Sequence, residues 1–456
     1  MSNHNLFKEF SEVSAKQWKQ KIQFELNGED YNEKLVWESP EGIKVKPFYN
    51  SEDTFENNTT PRQSDSWQIT QAIFAANAEM ANKKALKALS KGAESILFTI
   101  PSEETEIEIL LKNINLKTTI LYFDFQFLSS TYIKKLNRLN KESHAGFFLN
   151  FDCIAQLCKT GNWFFNLEKD FQLVNEILKE HQNKTLSINA SIYQNSGANN
   201  VQQLAYALAH ANEYLTNIEE GLLPETVFTF KIAVSSNYFF EIAKIKALRL
   251  LWQTLASAYN ISKECHILVI PSKRNKTLYD YNNNMLRTTT ECMSAILGGA
   301  DAVCNLPYDA IYHKDNAFGE RIARNQLMLL KEESYLDKTT NPSDGSYYIE
   351  SLTKQLAEKA LELFKLIEKS GGFLAQLKNN AIQKKIKESA HKQQELFNNH
   401  KEILVGSNKY ISNSDKMKDV IEIYPFIKNK ARKTIIEPII EKRLSEEVEQ
   451  KRLKNE

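Results

Sequence analysis

Eight short β-rich segments, each followed by a stretch of helical pattern, constrain the fold of this chain more than any other feature. Successive segments start between 23 and 42 residues apart, at positions 67, 95, 118, 146, 185, 227, 265 and 301. The clearest helix, Val201–Leu215, places Leu204, Leu208 and Leu215 on one face. A helical return makes neighbouring strands parallel, so eight units predict a (β/α)8 barrel of about 250 residues. An open doubly wound sheet is the structural alternative.

The segments outside this repeat divide the chain into three parts. We expect an N-terminal arm at residues 1–66, the barrel at residues 67–335 and a mostly helical C-terminal extension at residues 336–456. The last part of the extension, Glu437–Glu456, is strongly charged. Such a composition is typical either of a solvated helix or of a truncated linker.

Apolar residues in the arm predict that it packs against another surface. Phe7, Phe10, Val13 and Trp18 make one apolar helix face, and Glu41–Tyr49 follows as an extended segment. Two arrangements would bury these aromatic residues. In one the arm packs on its own barrel, and in the other it is exchanged between the subunits of a dimer.

Charge and composition exclude several classes of function. Lys and Arg number 58 against 57 Asp and Glu, which argues against nucleic acid or an acidic membrane as the main partner. There is no run of about 18 apolar residues and no signal-peptide core, so we expect a cytoplasmic protein. The 5 cysteines are widely spaced without a C-x-x-C pair, as is typical of reduced core thiols. The adjacent Cys265 and His266 lack a third ligand, so we predict no metal site there.

Three segments in the second half of the chain carry the most distinctive sequence. They are Arg287–Asp301 (RTTTECMSAILGGAD), Arg321–Ser334 (RIARNQLMLLKEES) and Asn341–Thr353 (NPSDGSYYIESLT). Local patterns predict a helix that ends at two glycines, then a short strand, another helix and a turn. The amino-acid sequence of these segments resembles that of the adenosylcobalamin-dependent methylmalonyl-CoA mutases, whose barrel domains carry similar runs in the same order. The resemblance implies an acyl-CoA mutase barrel.

The resemblance also implies where the chemistry of this family lies, and four positions differ there. Catalytic members carry an arginine for the substrate carboxylate near Thr160, an aromatic residue at Ser191, a histidine for the thioester carbonyl at Ile192 and a glutamine at Tyr279. Threonine is not a fixed bidentate cation, and isoleucine cannot hydrogen-bond a carbonyl. We therefore expect no intact catalytic residue at these four degenerate positions.

The cobalamin site of the family has no counterpart in this sequence. Catalytic members hold the cofactor on a C-terminal domain whose D-x-H-x-x-G motif supplies the cobalt ligand. That motif is absent, and the chain ends where the domain would begin. The resemblance therefore implies that another chain binds adenosylcobalamin and that this chain binds neither cofactor nor metal.

Five basic residues are candidates for vestigial CoA contacts or for contacts with a partner. Arg62 lies in the arm loop that closes over the corrin in catalytic members, and Lys273 and Arg274 lie in a loop that replaces an H--TSG-like run. Arg321 and Arg324 are three residues apart on one helix face. For these last two arginines, an ion pair in the barrel or at a subunit contact is favoured over CoA phosphates.

Bulky strand residues predict that the barrel interior is filled. They are Phe147, Phe148, Phe151, Phe228 and Phe230. In catalytic members the acyl-CoA tail threads along the barrel axis past small polar side chains. An axis filled with phenylalanine would leave no such path.

A lysine in the middle of a predicted strand is a further unusual feature. Lys231 lies within the segment VFTFKIA. Buried lysines are normally paired, so Lys231 either faces the barrel interior and meets an acid or caps the end of a strand.

The resemblance, together with the altered positions, implies a small, non-catalytic subunit of a heterodimeric mutase that interconverts methylmalonyl-CoA and succinyl-CoA. Its partner would be the large, catalytic subunit. One alternative is a barrel that binds acyl-CoA itself and takes cobalamin from a separate small protein. The other is a free-standing acyl-CoA-binding protein.

Overall fold

The arm begins the part of the chain that the structure describes. The structure is a computed structural model, and it describes residues 9–53, 66–140, 146–181, 184–428 and 431–456. The arm elements are helices α1 (Ala15–Glu25) and α2 (Tyr31–Leu35), the antiparallel strands β1 (Trp37–Glu38) and β2 (Lys44–Val45), and a 3-10 turn, Ser51–Asp53.

Eight parallel strands form the centre of the fold. They are β3 (Gln68–Phe74), β4 (Ser95–Ile100), β5 (Ile120–Phe125), β6 (Phe147–Asn150), β7 (Thr185–Asn189), β8 (Val227–Val234), β9 (Cys265–Pro271) and β10 (Ala302–Cys304). Their hydrogen-bonded order is β6-β5-β4-β3-β10-β9-β8-β7. The two edge strands, β6 and β7, are consecutive in the chain, so the sheet curls into a nearly closed barrel. The eight predicted β segments and the (β/α)8 architecture are confirmed, and the doubly wound alternative is wrong.

Helices flank this sheet. They are α3 (Ala78–Leu89), α4 (Ile107–Leu110), α5 (Ser130–Asn140), α6 (Cys153–Thr160), α7 (Leu167–Glu180), α8 (Ser191–Asn195), α9 (Asn200–Asn217), α10 (Tyr238–Ala258), α11 (Asn283–Leu297) and α12 (Ala317–Met328). A 3-10 turn, Glu220–Glu225, precedes β8, and a π-helical turn, Leu329–Glu333, continues α12. Helix α9 starts at a capping box in which Asn199 and Gln202 satisfy each other's backbone N–H groups. Helix α11 ends at Gly298, as the sequence predicts.

The apolar core lies mainly between the strands and the helices. Phe147, Phe151, Phe228 and Phe230 belong to this outer layer, and the ring of Phe228 lies 4.6 Å from that of Trp252 on α10. The prediction that these four phenylalanines fill the axis was therefore wrong. Strand side chains alternate between the two faces, and only Phe148 of the five lies with the inward-facing cluster.

The described residues of the C-terminal extension form four further helices. They are α13 (Tyr347–Lys369), α14 (Phe373–Lys378), α15 (Ala381–Asn398) and α16 (Glu446–Lys454). The charged end of the chain contains the predicted helix, but this segment is not fully solvated. Arg443, Glu446 and Glu449 are buried, and Arg443 Nη1 lies 2.6 Å from Glu449 Oε2. None of the helices in the described ranges has the length and apolar character that crossing a bilayer requires.

Candidate functional site

Three aromatic rings pack against one another in the barrel interior. They belong to Tyr122 on β5, Phe148 on β6 and His266 on β9, with ring centroids separated by 5.0 Å, 4.4 Å and 5.6 Å. Tyr122 Oη and His266 Nε2 share a hydrogen bond of 2.9 Å. Burial lowers the pKa of His266, which favours the neutral imidazole. Aromatic side chains thus lie in the interior, and Phe148 is the one member of the predicted set among them.

A polar cluster lies beside these rings and contains the mid-strand lysine. The ammonium group of Lys231 on β8 pairs with the carboxylate of Asp124 on β5. Asn150 on β6 donates a hydrogen bond of 2.8 Å from Nδ2 to Asp124 Oδ1. Lys231 therefore meets an acid inside the barrel, which confirms one of the two predicted roles. The cation and the anion of this cluster neutralise each other.

The degenerate position Thr160 lies at the end of α6 and is engaged within the chain. Its hydroxyl donates to the carbonyl of Gln156 at 2.8 Å, and its own carbonyl accepts from Arg432 Nη2 at 2.7 Å. Gly161 follows with φ +79°, and its carbonyl accepts the N–H groups of Ile435 and Ile436 at 2.9 Å and 3.2 Å. Thr160 thus supports a turn against which the C-terminal segment packs.

The other three degenerate positions are buried. The Ser191 hydroxyl donates to Asn189 Oδ1 at 2.6 Å, and Ile192 is buried in the apolar core. The guanidinium carbon of Arg452 lies 3.9 Å from the ring centroid of Tyr279, and burial raises the pKa of that phenol. These side chains are used for packing and local hydrogen bonds.

Residues 431–456, which we call the strap, cross the rim of the barrel at the carboxyl ends of the strands. Ile439 N donates to the Cys158 carbonyl at 2.7 Å, Lys442 N to that of Asn195 at 3.1 Å, and Leu444 N to that of Arg274 at 2.8 Å. The strap therefore joins the loops that follow β6, β7 and β9. Sequence reasoning missed it, although the apolar residues of IIEPIIEKRL within the charged tail were a usable signal.

The basic candidates in the β9 loop have different environments. Arg274 is buried and donates from Nε to Gln393 Oε1 at 2.6 Å and from Nη1 to the Lys442 carbonyl at 2.8 Å. Burial lowers its pKa to about 10. Lys273 is exposed next to it.

The remaining basic candidates are on or near α12, apart from Arg62, which lies outside the described residues. Arg321 is exposed, with its guanidinium carbon 5.4 Å from the ring centroid of Phe318. Arg324 donates from Nε to the Lys91 carbonyl at 2.9 Å. In the described part of the chain neither arginine forms an ion pair, so of the two favoured interpretations the one that remains a prediction is an ion pair at a subunit contact.

The RTTTE sequence at the start of the distinctive segments stabilises the β9 loop. Arg287 donates from Nη1 to Thr277 Oγ1 and Asn284 Oδ1, both at 2.8 Å. Glu291 is completely buried and its carboxylate accepts from Lys276 Nζ at 2.8 Å and 2.9 Å. These residues hold the loop through hydrogen bonds and a buried ion pair.

In the described residues, no three His, Cys, Asp or Glu side chains are grouped so that they could hold a metal ion. All five cysteines are buried free thiols, which confirms the prediction of core cysteines. His210 is engaged through both ring nitrogens, with Asp152 and with Tyr193. His391 is exposed beside Glu395 on α15.

Comparison with known proteins places these features in a family context. The sequence model of the family described as methylmalonyl-CoA mutase matches residues 102–455. The methylmalonyl-CoA mutase small subunit of Porphyromonas gingivalis is 34% identical over 442 residues, which cover 89% of this chain and 71% of the relative. The small subunit of Streptomyces virginiae is 28% identical, with 83% and 67% covered. The mitochondrial methylmalonyl-CoA mutase of Bos taurus is 26% identical, with 89% and 62% covered. The chain spans about two thirds of the length of these relatives.

Proposed function

The chain belongs to the methylmalonyl-CoA mutase family, and we propose that it is the small subunit of a heterodimeric mutase, with a structural or regulatory role. In this proposal the large subunit interconverts methylmalonyl-CoA and succinyl-CoA, an isomerase reaction. We place adenosylcobalamin on the large subunit, because the D-x-H-x-x-G motif that supplies the cobalt ligand in catalytic members does not occur in this sequence. Cobalamin supplies radical chemistry when it is bound.

The side chains at the degenerate rim positions, and the contacts they make, support the proposal that this chain is not catalytic. A substrate carboxylate in a water-poor site needs a fixed cation, and a thioester carbonyl needs a hydrogen-bond donor. Thr160 provides no cation and Ile192 no donor. The Thr160 hydroxyl is used within the chain, and Ile192 is buried in the apolar core. The aromatic rings of Tyr122, Phe148 and His266 occupy the interior along which an acyl-CoA tail would pass.

The packing of the arm supports the proposal of a partner subunit, because one end of the arm is buried on the barrel and the other end is exposed. Near the barrel, Ile43 is fully buried and the ring of Trp37 lies 5.7 Å from that of Phe240 on α10. Farther out, α1 buries none of its residues, and Phe24 is 79% and Trp18 52% exposed. Aromatic residues exposed together are typical of protein interfaces. The arm is thus anchored on its own barrel and presents α1 to another surface.

The remaining parts of the proposal concern location, organisation and residual contacts. We place the complex in the cytoplasm and keep the division into residues 1–66, 67–335 and 336–456. Lys273 and Arg321 are exposed and are the basic residues best placed to contact a partner or CoA. Arg274 and Arg324 donate hydrogen bonds to acceptors within the chain.

Co-purification tests the arm as a partner surface. The doubly substituted Trp18→Ala, Phe24→Ala chain is co-expressed with the large subunit, and Phe165→Ala, which removes an aromatic residue 60% exposed elsewhere on the surface, is the control. We expect the control to co-purify at wild-type level and the arm variant to lose at least about tenfold in affinity. Equal recovery of the two variants would contradict this role for α1.

A further inference from the structure

The barrel contains one seam that strand pairing does not close. Seven neighbouring pairs of strands have a continuous parallel register, including the short pair of β3 with β10. In the described ranges, no backbone hydrogen bond joins β6 to β7. The seam separates two groups of four strands, β3–β6 and β7–β10, which are otherwise paired through β3 and β10.

Two side chains take the place of a hydrogen-bond ladder at this seam. Leu149 N on β6 donates to the Thr185 hydroxyl oxygen on β7 at 3.0 Å. At the other end of the strands, Asn189 N on β7 donates to Asp152 Oδ2, just after β6, at 2.7 Å. Both bonds are part of the barrel wall, and each depends on one side-chain oxygen.

The carboxylate of Asp152 is held in place by three partners besides the seam itself. Its Oδ1 accepts from Ala155 N at 2.8 Å and Tyr214 Oη at 2.9 Å, and it lies 3.0 Å from His210 Nε2. His210 Nδ1 lies 3.0 Å from Tyr193 Oη. Burial acts to raise the pKa of Asp152, but His210 and the backbone donors outweigh it and lower that pKa. The acceptor at this end of the seam is therefore an ionised carboxylate that its partners hold in a fixed orientation.

A third connection spans the seam inside the barrel. Lys231 is on β8, next to β7, whereas Asp124 is on β5, next to β6. Their ion pair therefore joins the two groups of strands across the interior, and Asn150 orients the carboxylate. The lysine side chain is only 11% exposed, so water would not readily replace its partner.

We propose that these contacts form a lock that keeps the two groups of strands closed at the β6–β7 seam. The Lys231–Asp124 pair is its inner part, and Thr185 and Asp152 are its outer part. These residues position strands and touch no substrate. Loss of the inner part frees the seam to open about the β3–β10 pair, while the other strand pairs keep their hydrogen bonds. The inference rests on the fold and does not depend on the proposed subunit role.

Hydrogen exchange of the full chain, followed by mass spectrometry at neutral pH, tests the lock. In Lys231→Met we expect the amides of residues 147–150 and 185–189 to exchange about tenfold faster than in the wild type. Residues 68–74 and 95–100 should stay within about twofold, because their pairing is intact. Asp124→Asn should give the same pattern. The double variant should add little, since both changes remove one interaction.

Matched variants separate the lock from a general loss of stability. Lys179→Met breaks an ion pair with Glu219 in which both side chains are about half exposed, and it should leave exchange at the seam unchanged. Thr185→Val removes the outer acceptor at nearly constant volume and should speed exchange at residues 147–150. If Lys231→Met does not fold, this variant carries the test. Unchanged exchange at the seam in folded variants, or equal acceleration in all eight strands, would overturn the proposal.

Discussion

The RTTTE residues of α11 and the degenerate positions at the rim lie around the same end of the barrel, but the chain uses them differently. Arg287 and Glu291 hold the β9 loop through hydrogen bonds and a buried ion pair. Thr160 and Tyr279, in contrast, are covered by the strap. The first set identifies the fold because the scaffold needs it. The second set underlies the proposed non-catalytic role, because its side chains are used for packing and local hydrogen bonds.

The largest expected effect on stability comes from the buried ion pair that holds the β9 loop. Lys276→Met leaves the carboxylate of Glu291 buried without its cation, and it should lower the free energy of unfolding by about 3–5 kcal/mol. Urea denaturation measures this change. The surface variant Lys179→Met is the control and should cost less than about 1 kcal/mol. Similar values for the two variants would show that the buried pair does not support the β9 loop.

A smaller effect is expected where the loops after β6 and β7 meet. Asp152→Asn weakens a carboxylate that accepts several buried hydrogen bonds and should cost about 2–3 kcal/mol at neutral pH. Because folding lowers the pKa of Asp152, its contribution is present above the unfolded value of about 3.9 and is lost as the pH falls through the lower folded pKa. Acid titrations of stability should therefore be flatter for the variant below about pH 4. Parallel titration curves would contradict this assignment.

The smallest effect concerns the strap on the rim side. A Cβ at Gly161 would lie 2.6 Å from the Ile436 carbonyl oxygen, whereas at Gly345 a Cβ meets nothing within 4 Å. The two glycines have φ of +79° and +81°, so alanine suffers the same backbone strain at both. We expect Gly161→Ala to cost about 1–2 kcal/mol more than Gly345→Ala and to speed proteolysis of the strap. Equal costs would mean that the strap does not depend on this close approach.

The sequence predicts local patterns better than packing partners in this protein. The eight strands and α9 follow from periodicity within each segment, which depends on nearby residues alone. The side on which Phe147 and Phe148 lie depends on strand register, and a shift of one residue reverses it. The partner of Lys231 is 107 residues away in the chain, so only the barrel topology brings Asp124 to it.

The charged C-terminal segment is a second case in which the sequence did not predict the packing partners. Its overall composition suggested contact with water, but Arg443 and Glu449 pair with each other inside the protein. Long-range contacts of this kind place the strap over Thr160 and Tyr279. The resemblance located those positions, whereas their enclosure became visible only in three dimensions.

Co-expression with a large methylmalonyl-CoA mutase subunit tests the central claim most directly. Size-exclusion chromatography would be followed by assays on methylmalonyl-CoA with and without adenosylcobalamin. The account predicts a one-to-one complex that is active only when the large chain and the cofactor are both present. Turnover by this chain with only a separate cobalamin-binding protein would contradict it.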